Sequence, residues 1–417
     1  MNCVKAAATR LGQALVIGTS IAVLVACGGK GSTLSGGGST NQIAPPGSNV
    51  ATVVVNAGPA GNDVNTLFTS VTICVPGSTT SCQTIDDIEI DTGSSGFRVL
   101  ASALNLSLPT VTDTVGNNLL ECTQFVDGES WGPIATADLT VASETAASLP
   151  IQVIGDTNFA PIPTACSSIG TVEDTVSSFG ANGILGIGVF TQDCGVACTT
   201  APANGVYYAC SSTTQCTAIT LALTSQVPNP ATYFASDNNG VIIELPGVAA
   251  TGATSVTGSL VFGVDTETNN ASGKATVLTV GGDGTSDAGN FTTNFNSQTY
   301  DQSFFDAGSN GLYFVDSSLT ACPGTPPSGY YCPASTETLA ATVVGLNNAS
   351  ANISFAVANA DTLFSSNTAL TAFSNLAGQF PISATFDWGL PFFYGRNVYF
   401  VFEGKSTSVG TGPYNAF

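Results

Sequence analysis

A mostly β protein is the fold class the sequence predicts, and three observations carry that expectation. Strand-like alternation between turns recurs from about residue 51 to the end, as in Val50-Ala51-Thr52-Val53-Val54-Val55, Val241-Ile242-Ile243-Glu244-Leu245 and Val398-Tyr399-Phe400-Val401-Phe402. Only 8% of residues are charged while 43% are apolar, so the acidity does not signal disorder, and the abundant Thr, Ser, Val, Gly and Asn suit short strands rather than long helices. An apolar strand ending in an aspartate and a Gly/Ser turn occurs twice, as Ile88-Glu89-Ile90-Asp91-Thr92-Gly93-Ser94-Ser95-Gly96 and Phe304-Phe305-Asp306-Ala307-Gly308-Ser309-Asn310-Gly311, which points to an internal duplication. The best helix candidates are short, near residues 217–226 and 368–378.

Residues 1–26 carry a basic start in Lys5 and Arg10, a largely apolar run from Leu15 to Val25, and the ending Leu24-Val25-Ala26-Cys27. This resembles a bacterial lipoprotein signal peptide, which implies lipidation of Cys27; an ordinary secretory signal or a short membrane anchor is the plainer alternative. By the same resemblance Gly28 favours an outer-membrane lipoprotein of the bacterial envelope, with the body tethered to the membrane through its N terminus. Residues 27–50 follow as the lipidated cysteine and a Gly/Ser-rich linker. Two lobes are expected beyond it, residues 51–230 and 231–417.

Of the 12 cysteines, Cys3 leaves with the signal and Cys27 takes lipid, so an even number remains in an exported body. Sequence does not fix connectivity. The nearest neighbours suggest Cys74–Cys82, Cys194–Cys198, Cys210–Cys216 and Cys322–Cys332, which leaves Cys122 for Cys166. A thiolate metal site at Cys194 and Cys198 competes, but such sites ordinarily need two such pairs and a reducing compartment, so no metal is expected.

The chain has 28 acidic residues against seven basic ones, no histidine and a formal charge of −21. A surface of that sign repels phosphate backbones, so no nucleic-acid partner is expected. Lacking histidine, the chain can build neither a Ser-His-Asp nor a Cys-His centre, and proton transfer must fall to carboxylates, Tyr, Lys, Cys or water. Asp91 and Asp306 are the natural pair. Two carboxylates in contact cannot both ionise cheaply, so they share one proton; the aspartic protease dyad is the standard example of such coupling.

Each aspartate is followed by a glycine-bearing apolar run, Gly183-Ile184-Leu185-Gly186-Ile187-Gly188 in the first half and Phe386-Asp387-Trp388-Gly389-Leu390 in the second. With Gly258-Ser259-Leu260-Val261-Phe262-Gly263 and the strand ending in Glu403, these landmarks give the chain a resemblance to the pepsin-like aspartic peptidases over roughly residues 51–417. The whole chain also resembles an uncharacterised family of bacterial lipoproteins. The first resemblance implies a bilobal pepsin-like fold, two pseudo-twofold-related β lobes with a few short helices, and no cofactor. It implies that Asp91 and Asp306 activate a water against a peptide bond, supported by Thr92, Gly93, Ser94, Gly308 and Ser309. The partner would be a peptide or unfolded protein, and the body a monomer.

Three departures stand against that pattern. Ala307 occupies a position where the family carries a hydroxyl that bonds across the lobes. The expected flap, Gln124 to Gly132, has no tyrosine, leaving Phe125 or Trp131 to cover substrate. Arg98 sits where an aromatic is usual; a buried salt bridge or a carboxylate-recognition site would each account for it. A dyad-degenerate binding protein holding peptide or glycan is therefore the alternative to an endopeptidase. A surface β adhesin, with calcium in the loop from Asp283 to Asp287, ranks last because it leaves the repeated aspartate turn unexplained.

Overall fold

The computed structural model describes residues 43–417 apart from 127, 169, 203–204 and 324–328. The signal segment, Cys27 and most of the linker lie outside the described residues. Among the described residues two β-sheets, of 16 and seven strands, account for almost all regular structure, and the helices are short. The longest α-helix among the described residues is Ala360–Ser366.

The first strand of the body does not pair only within its own half. Val50–Val55 runs antiparallel to Leu67–Cys74 on one side and, in register from Val50↔Val261 to Val55↔Val256, to Val256–Phe262 on the other. The sheet continues through Gly240–Leu245, Arg396–Val401 and Tyr414–Ala416. A continuous floor thus joins the two halves, with Val53, Val55, Leu260, Val241 and Phe400 in its core. Asn65 adds a polar stitch: its amide donates to the carbonyls of Asn310 (2.8 Å) and Phe373 (2.9 Å), while its carbonyl accepts from the Phe373 amide (2.7 Å).

The duplication is visible in strand topology. Ile88 to Asp91 pairs in parallel with Gly183 to Gly186, and Ser95 to Val99 pairs antiparallel with the same strand, Gly183–Ile187. In the second half Phe304 and Phe305 lie parallel to Asp387 and Trp388, and Leu312 and Tyr313 run antiparallel to them. In each half one glycine-bearing strand threads between the two arms of an aspartate loop. A Cβ on Gly186 would lie 2.6 Å from Ser94 Oγ, and one on Gly389 would lie 2.1 Å from the Gly311 carbonyl, so only glycine lets the loop sit down on the strand.

Five disulfides form among the described residues: Cys74–Cys82, Cys122–Cys166, Cys194–Cys198, Cys210–Cys216 and Cys322–Cys332. The helix expectations fare worse. Gln215–Ala218 is a strand, held in a hairpin against Tyr207–Ser212 by Cys210–Cys216, and only Leu223–Ser225 makes a helical turn. Residues 368–378 contain the short strand Ala377–Gly378 and no helix. The helix lies just upstream, where the Asn359 side chain caps the Thr362 amide at 3.0 Å and Asp361 sits in the first turn.

Candidate active site

Asp91 ends the strand Cys82–Asp91, and Asp306 directly follows the strand Gln298–Phe305. The two side chains meet at the bottom of the junction between the halves, 3% and 0% exposed. Each is held by its own turn. The Gly93 amide donates to Asp91 Oδ1 at 2.7 Å and Ser94 Oγ to Asp91 Oδ2 at 2.5 Å; the Gly308 amide donates to Asp306 Oδ1 at 2.8 Å and Ser309 Oγ to Asp306 Oδ2 at 2.9 Å. The Gly93 amide also reaches Asp306 Oδ1 at 3.1 Å, so one backbone donor touches both carboxylates. A Cβ at Gly93 would stand 2.8 Å from Asp306 Oδ2, and one at Gly308 2.9 Å from Asp91 Oδ1, so the glycines permit this approach. Burial first, then the charges of Asp91 and Asp387, push the Asp306 carboxyl well above the usual carboxylate range.

Of the two positions that follow the aspartates, only Thr92 brings a hydroxyl across the lobes. Thr92 Oγ1 donates to the Phe305 carbonyl (3.3 Å) and accepts from the Ala307 amide (2.9 Å). Ala307, fully buried, has no hydroxyl with which to return the contact.

Arg98 is 1% exposed and fully occupied by neighbours. Its Nη2 donates to Glu121 Oε1 (2.5 Å) and lies 3.5 Å from Asp193 Oδ2, its Nε donates to Thr123 Oγ1 (2.7 Å), and its Nη1 donates to the Ser95 carbonyl (3.0 Å). Tyr207 donates to Asp193 Oδ1 at 2.6 Å. Burial, then the Glu121 charge, outweighs Arg98 and holds Asp193 well above its usual range. The guanidinium is thus committed to a buried ionic cluster behind the Asp91 loop. Sequence could not supply its partners, because Glu121 and Asp193 are brought to it by strand pairing and by the turn after Gly188.

The hairpin from Asn118 to Val141 places Phe125 and Trp131 away from the junction. Phe125 packs edge-on against Phe179, and Trp131 donates from Nε1 to the Phe159 carbonyl (2.9 Å) and packs against Tyr208. Both rings sit in the core of the first half. At the hairpin tip Val126 instead packs against the second-half cluster containing Tyr313, Leu376 and Phe380. A cavity of about 650 Å³ passes beside the aspartate loops, lined by Thr92 to Ser95, Gln124, Val126, Phe304 and Phe380. Arg98, Glu121 and Asp193 form part of its wall, and the carboxylates of the dyad lie just beneath it rather than on it.

A third carboxyl enters from the threading strand. Asp387, fully buried, contacts Ser309 Oγ through Oδ2 at 2.6 Å, and its Oδ1 has no hydrogen-bond partner among the described residues. The legible signal was an acid inside the otherwise apolar run Phe386-Asp387-Trp388-Gly389. Cys322, Cys332 and Asp361 also cluster, but both sulfurs are tied in a disulfide and leave no thiolate for a metal.

Against this geometry, residues 45–417 match the model of a family described as "Protein of unknown function (DUF3443)". The chain belongs to that family. No curated protein matches this DUF3443 member. Among solved structures it is similar to the aspartic proteinase from Irpex lacteus, with a TM-score of 0.51 and 15% identity over 88% of this chain and 96% of that one. At that identity the likeness establishes a pepsin-like fold, with the two aspartate loops and their threading strands as its centre.

Proposed function

We propose that this DUF3443 member is a pepsin-like aspartic endopeptidase, carried on the bacterial envelope by lipid at Cys27. The observation that carries the reading is the meeting of Asp91 and Asp306, each held by a glycine amide and a serine hydroxyl and bridged by the Gly93 amide. Two buried carboxyls so close retain one proton between them. Asp306, with the second carboxyl of Asp387 behind its serine, is assigned that proton in this reading and would hydrogen-bond the scissile carbonyl. Asp91 then acts as the base, taking a proton from a water that attacks the carbonyl carbon; the proton returns to the leaving amine as the tetrahedral intermediate collapses. No covalent enzyme intermediate is needed. Peptide or unfolded protein would enter through the cavity beside the loops, with the Val126 tip moving off the second half.

The loss of a hydroxyl at Ala307 and the depth of both carboxylates favour a second reading, a binding protein that uses the same junction without cleavage. Incubating the full-length protein with an unfolded protein from acidic to neutral pH, beside Asp91→Asn and Asp306→Asn, separates the two. The endopeptidase reading expects cleavage by wild type and a loss of at least about 100-fold in each variant. Cleavage by all three, or by none at any pH, sinks it.

A further inference from the structure

Ser309 has one hydroxyl proton and two carboxylate neighbours, Asp306 Oδ2 at 2.9 Å and Asp387 Oδ2 at 2.6 Å. It can donate to only one of them, so at the other contact the carboxyl must carry the proton. The equivalent serine of the first half has no such choice. Register pairs Glu89 with Ile184 where it pairs Phe304 with Asp387, so the place of Asp387 is taken there by an isoleucine. Phe386 and Trp388 point from the same strand into the aromatic core, stacked at 4.3 Å, while Asp387 faces the Asp306 loop. The charged groups acting on it are Asp91 and Asp306; Tyr313, its neighbour on the antiparallel strand, has its hydroxyl engaged by Asn310. No cation compensates it among the described residues.

We propose that Asp387 is a positioning residue of the dyad: a protonated third carboxyl that controls, through Ser309, whether Asp306 receives the serine hydrogen bond. While Asp387 keeps its proton it donates to Ser309 Oγ, and Ser309 donates to Asp306. When Asp387 gives its proton to solvent, the serine hydroxyl turns to the new carboxylate and Asp306 loses a donor. Losing that donor and gaining a like charge nearby both favour the protonated form of Asp306, so the dyad holds its shared proton to higher pH. Burial as the larger cause, opposed by the Ser309 contact, already holds Asp387 well above the usual carboxylate range. Ser94, by contrast, is committed to Asp91. The asymmetry gives the two dyad members different roles from a duplicated frame.

This inference deepens the endopeptidase reading and is tested so that the two fail separately. Carboxyl-carbon NMR titration of the aspartate-labelled full-length protein, with signals assigned by Asp91→Asn, Asp306→Asn and Asp387→Asn, follows the dyad without any need for turnover. Asp387→Asn keeps a donor for Ser309, and Asp387→Ile restores the residue type of the first half should the amide disturb folding. In both, the dyad should lose its shared proton at a pH lower by about one unit than in wild type. Combining either with Ser309→Ala should abolish most of the difference, which a purely structural role would leave unchanged. If the protein cleaves, the alkaline limb of its pH–rate profile moves with the titration. If wild type cleaves nothing, the endopeptidase reading falls and the titration still decides. A dyad that titrates alike in wild type and both variants, or an Asp387 signal ionised in the ordinary carboxylate range, overturns the proposal.

Discussion

At the scale of single residues, Thr92 makes two hydrogen bonds across the lobes beside the dyad, to the Phe305 carbonyl and from the Ala307 amide. With Ala307 unable to reciprocate, the Thr92 hydroxyl is the partner of the buried Ala307 amide among the described residues. Thr92→Val keeps the shape and removes the acceptor, so it should lower unfolding free energy by about 1–3 kcal/mol in a denaturant titration. A variant as stable as wild type would show that the grip contributes nothing. Arg98 gives a second test. Removing one member of a buried ionic cluster leaves the others uncompensated, and Arg98→Ala should cost about 3–5 kcal/mol by the same measurement. Both residues were legible in sequence, Arg98 as a departure after the first aspartate turn and Thr92 as part of the motif. Their partners were not, because Glu121, Asp193 and Phe305 reach them through pairing that no local pattern encodes.

At the scale of elements, the disulfides differ in the length of chain they close. Cys122–Cys166 spans 44 positions, against separations of four to ten for the other four. Loop-closure entropy grows with that length, so replacing Cys122 and Cys166 by Ala should cost about 4 kcal/mol, more than losing any of the four short-range bridges. Comparing unfolding midpoints of the five double variants checks the order; a larger loss at Cys210–Cys216 would contradict it. The aspartate loops and their glycine-bearing strands were readable because only a few residue types fit so tight a crossing. The helices were misplaced because 215–218 has its conformation set by a hairpin partner and a disulfide, whereas Asn359 announces the real helix with a cap. The hairpin tip was located in sequence, but Phe125 and Trp131 gave no hint that they face the core of the first half.

At the scale of the whole molecule, the sign of the charge and the burial of acids act together. Asp306, Asp387 and Asp193 are held above their unfolded-state values, chiefly by burial, and so are Glu144 and Glu244. A carboxyl raised in the folded state contributes stability that is fully present below its unfolded pKa and is lost as pH rises through the folded one. Asp265 works in the opposite sense: amide and hydroxyl donors from Ser272 and Ser408 overcome its burial and lower it, and that contribution is lost only as pH falls through its own depressed value. The raised groups outnumber it, and the formal charge of −21 at pH 7 adds self-repulsion that acid relieves. The thermal midpoint should therefore be higher near pH 4 than near pH 8; a midpoint that climbs steadily toward alkaline pH would contradict this balance. The β class was visible in composition and the duplication in the repeated aspartate turn, while the shared floor was not, since Val50–Val55 shows nothing in sequence of its pairing with the second half.

The central claim, that Asp91 and Asp306 work as one titrating pair, is tested most directly by the pH dependence of kcat/KM on a single unfolded protein substrate. A shared proton gives a bell: activity rises as the first carboxyl ionises and falls as the second does, with the maximum on the acid side of neutrality and both limbs lost in Asp91→Asn and Asp306→Asn. A profile with one limb, a maximum above neutral pH, or a bell that survives either substitution would contradict it.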